Sequence, residues 1–252
     1  MNIIRIESID STNAYLKELA HKQTLEEGTV IVTHNQTAGR GQRTNPWDSE
    51  AGKNITCSIL LYPTFLPVQK HFLLSKAISV GVKDTLDAYT GEITIKWPND
   101  IYWKENKIAG ILIENELTGN ELTLSIVGIG ININQERFSA YPRNPVSLKQ
   151  ITGKEQDLEI LLKELIKNVL HRYEQLKNGD TETISGIYNE SLFRKTGFHH
   201  YEDSLGIFNA RIDYVSDDGL LHLISDLDEE FEFSFQSVRF VTDKKHSPLS
   251  YL

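Results

Sequence analysis

Hydrophobic positions change their rhythm along this chain, and each rhythm predicts an element. Residues 2–6 read as a short strand. Asp10, Ser11 or Thr12 is then placed to cap a helix reaching about His21, with Ala14, Leu16, Leu19 and Ala20 as its apolar set. The β-branched run 28–34, bounded by Gly28, and residues 54–62 read as strands. Between them, 35–53 shows neither period and reads as a long loop, which in a compact domain is usually functional. Helical spacing returns over 67–89 (Phe72, Leu73, Ala77, Ile78, Leu86). Three β segments follow at 93–103, 107–116 and 121–131, with tight polar turns that favour antiparallel hairpins. Helices are predicted over 155–177 and near 181–192.

From about residue 205 only short strands remain: Ile207–Val215, Leu220–Ser225, Glu230–Phe235 and Val238–Val241. Four such strands in so few residues predict a small β-barrel after a larger domain. The expected division is 1–194 and 195–252.

Composition narrows the classes. Ten Phe, ten Tyr and three Trp supply a sizeable core for one large domain or a large and a small one. The formal charge of −9 counts against an extended phosphate-binding surface, so DNA is not expected as a partner. Cys57 is the single cysteine, which excludes an intramolecular disulfide or a cysteine-based zinc cluster. The first residues lack a secretory pattern and no apolar run reaches the length of a bilayer span, so a cytoplasmic protein without a membrane partner is expected.

Four segments carry candidate chemistry. Ala38-Gly39-Arg40-Gly41-Gln42-Arg43, ending at Trp47, combines glycines that permit close backbone approach with guanidiniums suited to phosphate or carboxylate. In Lys96-Trp97-Pro98-Asn99-Asp100 a cation, an amide and a carboxylate gather at a strand end, as a nucleotide phosphate and Mg²⁺ would require. Trp97 itself reads as core. Lys107 opens a strand in which Gly110 leaves room against the sheet; an edge lysine guarding against aggregation is the plainer alternative. In Gly128-Ile129-Gly130-Ile131-Asn132 alternating glycines leave one strand face bare, able to take a flat apolar ligand with Asn132 at its end. Other residues read as structural: His199-His200 as a solvated pair in a connector, Cys57 as core, and Glu114 with Glu116 as an exposed acidic face.

Together with Asp10-Ser11-Thr12-Asn13 and Gln36, these segments in this order resemble the biotin–protein ligase family over roughly residues 5–135. The resemblance implies an α+β fold with a mixed central β-sheet flanked by helices, similar to class II aminoacyl-tRNA synthetases, and a C-terminal SH3-like β-barrel. It implies an enzyme that activates biotin with ATP and Mg²⁺ as biotinyl-AMP. The biotinyl group would then pass to a lysine of a biotin carboxyl carrier protein domain. Ser11, Thr12, Asn13 and Gln36 resemble the contacts of the biotin ring, with Gly39, Arg40, Gly41, Lys107 and Gly110 around its acid end. Arg40, Arg43, Trp47, Lys96, Asn99, Asp100, Gly130 and Asn132 resemble the ATP end, with Asp100 toward Mg²⁺. Arg40, Lys96 and Lys107 would be the catalytic cations, and the loop through Trp47 would be ordered by ligand. Arg239 resembles an arginine of the barrel that reaches the ATP phosphates.

Two departures stand out. Gln42 sits where many relatives carry a further arginine. The chain also begins almost at Asp10, so the expectation is a monofunctional form without the DNA-binding domain of larger relatives, as a monomer or weak homodimer. The rivals are a lipoate–protein ligase or octanoyl transferase, and a non-enzymatic biotin sensor or nucleic-acid-binding regulator. The Lys-Trp-Pro-Asn-Asp element and the Gly-Arg-Gly loop favour biotin.

Overall fold

A computed structural model describes residues 2–42, 45–138 and 144–241, and the chain divides into two compact units, Met1–Phe193 and Arg194–Leu252. The first unit is built on a seven-stranded sheet. Its strands are β1 (Ile3–Ile9), β2 (Val30–Gln36), β3 (Ile55–Leu61), β4 (Ile93–Lys96), β5 (Asp100–Trp103), β6 (Asn106–Thr118) and β7 (Glu121–Ile131). They lie in the order β1-β2-β3-β7-β6-β5-β4. β1 and β2 are parallel because helix α1 (Thr12–Lys22) carries the chain between them; every other pairing is antiparallel. The fold is therefore α+β with a mixed central sheet.

β3 is buried at every position because β2 and β7 flank it and helices cover the sheet. α1 packs over β2, β3 and β7 through a cluster of Leu16, Leu25, Ile31, Leu60, Leu124 and Ile126. α2 (Phe72–Asp87) packs on β4 and β5 and beneath α4 (Leu158–Lys177) and α5 (Thr181–Glu190). Three differences from the sequence reading have local causes. The segment 93–103 folds as a hairpin of β4 and β5, because Pro98 cannot donate to a ladder. The helix expected from residue 67 begins at Phe72 after a short 3₁₀ turn, Val68–Lys70. A five-residue helix, α3 (Leu148–Thr152), was too short to show a period; Ser147 and Gln150 form its capping box.

The second unit is a five-stranded antiparallel sheet. Its strands are β8 (His199–Glu202), β9 (Ile207–Val215), β10 (Leu221–Ser225), β11 (Glu230–Phe233) and β12 (Arg239–Phe240), ordered β11-β10-β9-β8-β12. His199 and His200, expected in a connector, instead open β8 and pair with β9. Arg239 pairs with Glu202 at 2.7 Å across β12 and β8. Among the described residues no helix is long and apolar enough to cross a membrane.

Candidate functional site

The N-terminus of α1 faces the C-terminal end of β2, and this juncture orders a run of polar side chains. Ser11 caps α1, its hydroxyl accepting from the Ala14 amide at 3.4 Å. The Gln36 side-chain oxygen accepts from the Thr12 amide (2.9 Å) and hydroxyl (3.2 Å), capping the helix from the neighbouring strand. Ser58, fully buried on β3, places its hydroxyl 2.7 Å from Thr12 Oγ1 and 2.6 Å from Asn13 Oδ1. Its one proton serves a single acceptor at a time. Asn13 spends its amide hydrogens on the Leu112 carbonyl (3.2 Å) and on Glu114 Oε2 (2.8 Å). Arg40 Nη2 then lies 3.3 Å from the same carboxylate oxygen. A continuous hydrogen-bonded chain thus runs from Gln36 to Arg40.

The loop that carries Arg40 folds back on itself. Arg40 and Pro46 form an isolated antiparallel bridge, the Trp47 amide donates to the Gly39 carbonyl at 2.9 Å, and the Gly41 amide donates to Asn45 at 2.8 Å. This closure carries the indole of Trp47 onto the glycine face of the sheet. Gly110 and Gly130 face each other across β6 and β7. A Cβ on Gly130 would fall 2.4 Å from Trp47 Cε2, and one on Gly128 would fall 2.4 Å from Asn13 Oδ1. The bare strip expected to receive a flat ligand is therefore covered by the protein's own indole. Trp47 Nε1 is buried without a hydrogen-bond partner, which costs about 1–3 kcal/mol and marks a donor that an acceptor on a ligand would satisfy.

The second cation stands on the neighbouring strands. β6 has one extra residue against β5, since Ile101 opposes Ala109 while Tyr102 opposes Lys107. That bulge brings Lys107, three residues before Gly110, to the same face: its ammonium lies 3.3 Å from where a Gly110 Cβ would sit. Lys107 Nζ pairs with Asp100 at 2.6 Å and stands 5.4 Å from the centre of the Trp47 ring. The edge-lysine alternative is excluded, because β6 is flanked by β5 and β7.

The other candidates have definite partners. Lys96 opposes Asp100 across β4 and β5, and its ammonium rests against the Tyr102 hydroxyl (3.1 Å) and ring (4.7 Å). Asn99 donates its side-chain amide to the Ile111 carbonyl at 2.8 Å, fixing the β4–β5 turn to β6. Asn132 is buried and donates to the Val146 carbonyl at 3.3 Å. Arg43 lies outside the described residues. Cys57 is fully buried, and burial pushes its thiol up to about 12.

Two members of the chain of hydrogen bonds escaped the sequence reading. Ser58 lies in the strand read over 54–62, where a single hydroxyl carries no motif. Glu114 was expected on an exposed acidic face, yet it bridges Asn13 and Arg40; Glu116, two residues on, pairs with Lys17 (3.0 Å) and His21 (2.9 Å) on α1. The signal available for Glu114 was its even spacing from Gly110 on one strand face. Among the described residues no three His, Cys, Asp or Glu side chains converge as a metal site. The Asp100 carboxylate is occupied by Lys107, so the donors here do not form a protein cage for Mg²⁺.

The model of the Biotin/lipoate A/B protein ligase family matches residues 5–132. The bifunctional ligase/repressor BirA of Bacillus spizizenii is 31% identical, over 88% of this chain and 69% of its own. The biotin--[acetyl-CoA-carboxylase] ligase of Paracoccus denitrificans is 32% identical, over 73% of this chain and 77% of its own. The biotin protein ligase from Aquifex aeolicus, solved in complex with biotin and ATP, superposes with a TM-score of 0.78 at 26% identity, covering 95% of this chain and 99% of that one. The chain belongs to the Biotin/lipoate A/B protein ligase family.

Proposed function

We propose that this protein is a biotin–protein ligase that forms biotinyl-AMP from biotin and ATP and transfers the biotinyl group to a lysine of a biotin carboxyl carrier protein domain. The observation that carries this reading is the hydrogen-bonded chain from Gln36 through Thr12, Ser58 and Asn13 to Arg40. Donors and acceptors lie at one end of that chain and a guanidinium at the other, which supports a site for a small polar ring bearing an acid. The Aquifex aeolicus relative binds biotin and ATP, and the Paracoccus denitrificans relative is named for its carboxylase acceptor.

In the first step the biotin carboxylate attacks the α-phosphorus of ATP, and pyrophosphate leaves. Two anions must approach, so the main requirement is positive charge fixed in advance. Arg40 and Lys107 supply it, each resting on a protein carboxylate (Glu114 and Asp100) that a ligand anion replaces. Mg²⁺ would come with ATP as part of the substrate and would supply further charge neutralisation for the phosphates. Trp47, closing over the glycine strip, excludes water that would hydrolyse the anhydride. In the second step the carrier's lysine amine attacks the acyl carbon; an amide forms, AMP leaves and the amine loses its proton.

The assignment of Ser11, Thr12, Asn13 and Gln36 to the biotin ring, and of Lys96, Asn99, Asp100, Gly130 and Asn132 to ATP, is part of this proposal. So is the division at residues 194 and 195 with an SH3-like barrel in the second part, supported by its five-stranded antiparallel sheet. ATP–pyrophosphate exchange measured with biotin and with lipoate tests the function: exchange driven by biotin is expected, and exchange driven by lipoate alone would overturn it.

A further inference from the structure

The Glu114 carboxylate links Asn13 to Arg40 in the chain of hydrogen bonds, and a ligand anion that reaches Arg40 must displace it. It lies on β6 with Gly110, separated by two alternations of the strand, and so looks onto the same face. Its Oε2 accepts from Asn13 at 2.8 Å, and both its oxygens lie 3.3–3.4 Å from Arg40 Nη2. Both partners are partly exposed, with 47% of the Arg40 side chain and 30% of the Glu114 side chain accessible. Such a pair is weak and exchangeable.

Resting on the biotin reading, we propose that Glu114 is a specificity-determining residue: its carboxylate competes with the carboxylate of the ligand for Arg40. The exchange is of like for like. An anionic ligand gains the Arg40 contact only by giving Glu114 back to solvent and to Asn13, so its net gain is the difference of two similar ion pairs. A neutral ligand of the same shape leaves the Arg40–Glu114 pair in place and gains nothing from it. Glu114 therefore restrains the preference for acid over neutral ligands, and so restrains the hold on the acid end.

The test is calorimetric binding of biotin and of biotinol, which carries an alcohol in place of the acid, to the wild type, Glu114→Gln, Arg40→Ala and the double variant. Glutamine keeps an acceptor for Asn13 and removes the charge. In Glu114→Gln the biotin-to-biotinol affinity ratio should widen by about two- to fivefold, the range of one exposed ion pair, with biotinol affinity unchanged. In the Arg40→Ala background the same substitution should leave the ratio where it was. An unchanged or narrower ratio in Glu114→Gln overturns the proposal, as does parallel weakening of both ligands, which would make Glu114 only a prop for Asn13. Widening that persists without Arg40 also overturns it, since Glu114 would then be repelling the acid directly. If the wild type binds neither ligand, the failure belongs to the biotin reading itself.

Discussion

Lys107 and Arg40 are both poised cations, but their surroundings differ enough to give different failures. Lys107 has 16% of its side chain accessible and sits on a strand flanked on both sides, so its charge is fixed in place by the sheet. Removing it deletes charge stabilisation in the step where two anions meet, a loss of about 10²–10³-fold for one such group. Lys107→Ala should lose pyrophosphate exchange on that scale while its thermal melt stays near that of the wild type; full exchange would show that the charge is supplied elsewhere. Arg40 sits on the loop that Trp47 closes. Arg40→Gly should therefore make the adenylate more slowly and hold it less tightly, the release read as biotin on bystander proteins mixed with the enzyme. Retained adenylate in that variant would detach Arg40 from the loop's function. Both cations were legible in the sequence because glycines and charges in one motif have few structural uses. Ser58 and Glu114 were not, because one hydroxyl in a buried strand and one acid in an alternating strand have many.

At the scale of the element, β7 serves two different neighbours through alternate residues of one face. Gly128 makes room for Asn13 and Gly130 for Trp47, each at 2.4 Å from a hypothetical Cβ, closer than any side chain tolerates. The strand's two-residue period explains why glycine recurs at every other position, and why the isoleucines between them are buried. Gly128→Ala should displace Asn13 and weaken biotin binding with little change in the Michaelis constant for ATP. Gly130→Ala should do the reverse, pushing out the indole and raising the constant for ATP. Equal effects of the two substitutions on both substrates would mean that the strip is a single pocket. The alternation of glycine and isoleucine is plain in the sequence, whereas the occupant of the bare face depends on a loop contact that no local period encodes. The β6 bulge escaped for the same reason: an extra residue shows only against its partner strand. β8 escaped because two histidines, a tyrosine and a glutamate lack a strand-like apolar pattern, and pairing with β9 decides their conformation.

On the scale of the first unit, the sheet and the helical layer are joined by an acid far from the site. Glu27, between α1 and β2, accepts from the Tyr62 amide at the end of β3 (2.8 Å), the Tyr173 hydroxyl (2.6 Å) and the Lys177 ammonium (2.7 Å) on α4. Burial alone would raise its pKa, but the hydrogen bonds from Lys177, Tyr173 and the Tyr62 amide outweigh that and hold it below the ordinary 4.5. Burial, and then the hydrogen bond to Glu27, push the Tyr173 phenol far up, so it remains a donor. Arg5 and Glu159 also bridge β1 and α4 at 2.6 Å, but both are half exposed, and solvent screens them. The partly buried network is therefore the stronger of the two ties. A carboxylate whose pKa is lower folded than unfolded adds stability that is complete above its unfolded value and disappears as pH falls through the folded one. Glu27→Gln should thus cost about 1–3 kcal/mol near neutrality. In a unit of this size that is a fall in melting temperature of about 2–12 °C. As pH drops below about 4.5 the wild type should lose this advantage progressively, and the two melting curves should converge once pH lies below the folded-state value. A gap of constant size across that whole range would show that the charge of Glu27 contributes nothing, leaving only the shape of its side chain to join the layers.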